Sequence, residues 1–93
     1  IHELAEEDRA VLIEEVARAS VAMARLFRPD KMNVGALGNV VPQLHVHVVA
    51  RFASDPAWPG PVWGSGAAVP YVEEELEELK IRLSEALGHL PEL

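Results

Sequence analysis

Apolar residues recur along this chain with two periods. Over residues 5–27, Leu12, Val16, Ala19, Met23 and Leu26 alternate steps of four and three, the spacing that lines one face of an α-helix. Glu6, Glu7 and Asp8 fall where the helix dipole is positive and Arg25 where it is negative. Glu14 and Arg18 are spaced for a favourable i,i+4 pair. Pro29 stops the helix, because proline has no N–H to donate and disfavours α geometry at Arg28. A second stripe, Val72, Leu76, Leu79, Leu83 and Leu87, predicts the buried face of a helix over 70–88. Pro70 suits its first position, Glu73, Glu74 and Glu75 its first turn, and Gly88 its C-terminal stop with Pro91 beyond.

Between the helices the period shortens. Residues 31–37 read as a strand, Gly38 and Asn39 as a turn, and Pro42 as the entry to a second strand over 43–52. In that strand Leu44, Val46 and Val48 alternate with Gln43, His45 and His47. A period of two sends the aliphatic three to one face and the polar three to the other. Residues 54–69 are rich in glycine and proline and read as a loop. Its Trp58 and Trp63 are expected to pin it to the body; the alternative is a lid or specificity wall. Helices and strands that do not alternate as βαβ units predict an α+β fold with an antiparallel sheet. The whole of 1–93 reads as one domain.

Composition narrows the function. The chain has 93 residues, 49% hydrophobic and 25% charged, as expected of a folded domain rather than a disordered segment. Thirteen Ala and twelve Val stand against five aromatic residues. A short chain with small apolar side chains has a thin core, so partner chains are expected. No apolar run approaches the ~20 residues that span a bilayer. Eight basic against fifteen acidic residues give a net charge of −7, without the basic footprint of a nucleic-acid binder. Small anionic ligands remain open, since they need only local donors. The absence of cysteine removes disulfides and thiolate chemistry, and fits the expected cytoplasmic location. The chain starts at Ile1 without a Met, and is expected to be a processed or trimmed piece of a longer polypeptide.

The candidate chemistry lies in Gln43-Leu44-His45-Val46-His47-Val48-Val49. Side chains two apart on a strand are ~6.6 Å apart along it, close enough to converge on a group the size of a phosphate. The Gly38-Asn39 turn can add backbone N–H donors. Three readings are open on these residues alone: the polar face of a half-exposed strand, a metal site built on imidazole, and a phosphate cradle. The metal site would need a third ligand, for which Asp55 is the nearest candidate. His2 and His89 read as surface histidines, and the glutamates over 73–78 as a solvated helix face.

The wider pattern resembles the histidine triad (HIT) family, whose signature is His-x-His-x-His followed by two apolar residues. Met32-Asn33-Val34-Gly35 looks like the family's Asn-x-Gly element, and Gly38-Asn39 stands where Gly-Gln is common. Arg51 follows at family spacing, and Phe27-Arg28-Pro29-Asp30 ends the long helix as in the family. The resemblance covers residues 1–64. It implies a HIT-like antiparallel sheet with a long helix before the motif strands and a C-terminal helix, the family's N-terminal strands being missing here. The implied activity is nucleotide hydrolysis or nucleotidyl transfer at an α-phosphate, with a purine nucleotide as substrate, no cofactor or metal, and a homodimeric assembly. On that resemblance His45 falls at the nucleophile and His47 at the third motif position, donating to the phosphate or leaving group. Asn33, Gly38 and Asn39 would bind phosphate. Gln43 replaces the first motif histidine, and a glutamine orients or binds but does not titrate. The alternative is a catalytically weak nucleotide- or protein-binding module.

Overall fold

A computed structural model describes residues 1–66 and 69–88. Helix α1 (Glu6–Phe27) leads into strand β1 (Lys31–Gly35), strand β2 (His47–Arg51) and helix α2 (Glu73–Gly88). The strands form a two-stranded antiparallel sheet in which Lys31 faces Arg51, Asn33 faces Val49 and Gly35 faces His47. The α+β architecture expected from the sequence is therefore present. Helix α1 is central, touching both β2 and α2.

Helix α1 carries its acidic residues in the first turn and Arg25 in the last, both favourable for the dipole. It ends at Arg28, which takes a left-handed conformation (φ 47°, ψ 58°) and donates its N–H to the Ala24 carbonyl. Pro29 disfavours continued right-handed α geometry at the preceding residue, and a left-handed residue is a common way for a helix to end. The turn that follows is held by Asp30. Its N–H donates to the Arg51 carbonyl at 2.9 Å, and its Oδ2 accepts from the Ala53 N–H at 2.7 Å.

The larger departures from the hydrophobic pattern are at three boundaries. Strand β1 stops at Gly35 rather than at 37, and β2 begins at His47 rather than at 43. Pro42 brings no N–H for a ladder bond, and the Gln43 carbonyl is taken by the His45 ring, so residues 36–46 form an irregular connection. Helix α2 starts at Glu73, with the Val72 carbonyl accepting its first bond from Leu76; Pro70 thus lies before the helix instead of at its first position.

The apolar stripe of α2 is also less covered than expected. Val72, Leu76 and Leu87 are exposed, and Leu79 and Leu83 only half-buried, because α1 covers a single side of the helix. His89 and Pro91 lie outside the described residues. The core is as thin as the composition predicts: among the described residues Ala22 and Arg51 are the buried ones, at 1% and 2% exposure.

Candidate active site

The register places Gly35, Asn33 and Lys31 on the same face of the sheet as His47, Val49 and Arg51, since directly paired residues share a face and residues two apart repeat it. His45, two residues before His47, lies outside the ladder yet stays beside it. The two imidazole rings meet edge to face, with centroids 5.1 Å apart and planes at 80°. Period-two patterning thus brings the two histidines together even where the regular strand has ended.

His45 is half-buried, and its Nδ1 lies 2.7 Å from the Gln43 carbonyl oxygen. A carbonyl only accepts, so Nδ1 is the donor and carries the proton. In the neutral ring the lone pair is then on Nε2. His45, Gln43 and Gly38 line one cleft of about 370 Å³, walled by the apolar side chains of Ile1, Leu4 and Leu37. Among the described residues that line it there is no lysine or arginine. Asn39 lies in the bend beyond Gly38 and is exposed.

Asn33 is engaged elsewhere on the same sheet face. Its Oδ1 accepts from Arg51 Nη1 at 2.7 Å, and its Nδ2 donates to the Met32 carbonyl at 3.2 Å. Arg51 is the hub of this side of the molecule. Nε and Nη2 donate to the two carboxylate oxygens of Asp55 at 3.0 and 3.2 Å, the paired geometry that suits a guanidinium. Nη2 also donates to the Gly60 carbonyl at 2.6 Å, and the Trp58 ring stands 5.8 Å from the guanidinium carbon, within cation–π range. One buried side chain therefore ties β1, β2 and the loop after β2 together.

The hydrogen bonds from Arg51 hold the Asp55 carboxyl below its usual range, with the Phe52 and Ala57 N–H groups and the Arg51 charge acting the same way against partial desolvation. Asp55, the carboxylate a metal site on the histidines would draw on, thus has both oxygens committed to Arg51. Among the described residues no three His, Cys, Asp or Glu side chains are grouped to hold a metal ion.

Sequence reasoning placed Arg51 at family spacing without recognising this hub. The signal was its parity: Arg51 shares the odd positions of Gln43, His45 and His47, and a charged residue ending an aliphatic strand on the polar face needs a partner. Trp63 completes the face. Its ring packs against His47 with centroids 6.1 Å apart and planes at 71°, and it covers Gly35 so closely that a Cβ there would lie 2.8 and 2.9 Å from two indole carbons.

A family model for the HIT domain matches residues 1–54. The fold is similar to three solved bacterial structures. A histidine triad protein from Marinobacter aquaeolei VT8 is 49% identical with a TM-score of 0.88, over 97% of this chain and 66% of that one. A histidine triad (HIT) protein from Sinorhizobium meliloti 1021 is 46% identical with a TM-score of 0.87, over 91% and 63%. A histidine triad protein from Bradyrhizobium japonicum is 40% identical with a TM-score of 0.88, over 91% and 63%. The chain spans a little under two thirds of the length of these structures. No curated protein matches it. Motif, fold and these likenesses agree, and the chain belongs to the histidine triad family.

Proposed function

We propose that this protein cleaves or transfers a nucleotide at its α-phosphate, with His45 as the nucleophile. Family membership points to nucleotide binding and to hydrolase or transferase activity in general. The finer reading rests on one observation: His45 Nδ1 is held 2.7 Å from the Gln43 carbonyl, which leaves the Nε2 lone pair for phosphorus. Attack forms an N–P bond and breaks the bond from phosphorus to the leaving group, which takes a proton from His47. Water or an acceptor hydroxyl then attacks the His45–nucleotide, losing its proton to His47 as the N–P bond breaks. Splitting one displacement into two in this way is ordinary nucleophilic catalysis, and imidazole is the side chain that most often moves the protons of such steps.

Gly38, Asn39 and the second Nδ2 hydrogen of Asn33 supply neutral donors for phosphoryl oxygens, as an oxyanion hole does. The apolar walls beside His45 suit a flat base such as a purine. No cofactor or metal enters this scheme. The homodimer rests on the exposed apolar stripe of α2, and the cytoplasmic location on the lack of cysteine. No helix among the described residues is long and apolar enough to cross a membrane.

The test is stereochemical. The p-nitrophenyl ester of AMP, made chiral at phosphorus with sulfur and oxygen isotopes, should be hydrolysed with retention, because two inversions cancel. Inversion would show direct attack by water and remove the nucleophile role. Gln43 at the first motif position favours a second reading, a nucleotide-binding module with little turnover. Saturable AMP binding with no release of p-nitrophenol would select it.

A further inference from the structure

We propose that Trp63 is a positioning residue for the histidine pair, acting on His47 directly and on His45 through it. Three rings stand in a row, each meeting the next at a steep angle: Trp63 against His47 at 6.1 Å, and His47 against His45 at 5.1 Å. The far end of the row is fixed by the Gln43 carbonyl on His45 Nδ1. The near end is fixed by Trp63, and two independent features hold Trp63 where it is.

The first is Gly35, the residue directly paired with His47. The missing side chain leaves the space that the indole fills, and a Cβ would meet it at 2.8 Å. The second is the loop itself, fastened upstream of Trp63 where Arg51 binds Asp55, Gly60 and the Trp58 ring. An exposed imidazole on a sheet face has several rotamers, and a ring packed on one side removes the wrong ones before substrate arrives. Small misplacements of a reacting group are costly in rate, about 10²-fold for 1 Å. This deepens the hydrolase reading and rests on it for the kinetic measurement alone.

The experiment records side-chain NMR resonances of His45 and His47 in the unliganded protein, and kcat and KM with the p-nitrophenyl ester of AMP. The variants are Trp63→Leu, Trp63→Phe and Gly35→Ala. In Trp63→Leu the His47 ring resonances should shift and broaden and those of His45 should follow. Its kcat should fall about tenfold with KM within about twofold, the mark of an interaction that counts in the transition state. Trp63→Phe keeps a ring in place and should recover most of the loss. Gly35→Ala displaces the indole without removing it and should reproduce the Leu signature; it carries the test should Trp63→Leu not fold. Histidine resonances unmoved in Trp63→Leu would overturn the proposal. So would a Phe variant as impaired as the Leu variant, or a rise in KM with kcat unchanged. If the parent protein turns over no nucleotide, the hydrolase reading fails and the resonances alone decide.

Discussion

At the scale of single residues, the contribution of Gln43 to the site is made by its backbone. The carbonyl, not the side chain, holds His45 Nδ1, and the side chain is exposed. Gln43→His therefore keeps the contact that orients His45 and restores the family's first histidine. We expect nucleotide turnover equal to or above the parent, with one more titrating group in the pH–rate profile; a loss of turnover would show that the glutamine amide itself is needed. Asn33 is the opposite case, a residue whose side chain supports the structure as well as any ligand. Asn33→Ala removes the acceptor for Arg51 Nη1 and leaves a buried donor unpaired. The cost should be about 1–3 kcal/mol, read by urea unfolding. An unchanged midpoint would mean that water replaces the amide.

At the scale of elements, the helices were legible because a stripe of period 3.6 needs no knowledge of the partner. The strands were legible in their facing but not in their ends. A ladder stops where its bonds are diverted, and nothing in Gln43 announces that its carbonyl serves His45. The end of α1 was legible through Pro29, though not the conformation of Arg28. Left-handed backbone there favours glycine, so Arg28→Gly should stabilise the protein by about 0.5–1 kcal/mol, visible as a higher urea midpoint; a lower midpoint would mean the Arg28 side chain matters more than its φ. The loop after β2 carries a pH dependence. Asp55 has its carboxyl lowered chiefly by Arg51, from an ordinary value of 3.8. A group depressed in the folded state stabilises above its unfolded value, and this is lost as pH falls through the folded one. Acidification below about pH 4 should thus release the loop, seen as a change in Trp58 and Trp63 fluorescence. Asp55→Asn should abolish that acid step. A transition unaltered by this substitution would assign it to other carboxylates.

At the scale of the whole molecule, a core in which Ala22 and Arg51 are the buried ones among the described residues leaves much apolar surface uncovered. Tyr71, Val72, Leu76 and Ile81 on and beside α2 are exposed. We expect a homodimer in solution by light scattering, and a well-folded monomer at high concentration would contradict it. The thin core was legible in the ratio of alanine and valine to aromatics. The Arg51 hub was not, because its partners Asn33, Asp55 and Gly60 meet only once β1, β2 and the loop are folded together. The proposed chemistry turns on a bond to His45. The decisive measurement is intact-mass spectrometry of the protein quenched during turnover of the p-nitrophenyl ester of AMP, for the parent and for His45→Ala. The parent should be adenylylated on His45, and His45→Ala should be unlabelled yet still bind AMP. Parental turnover by His45→Ala, or labelling that persists without His45, would contradict it.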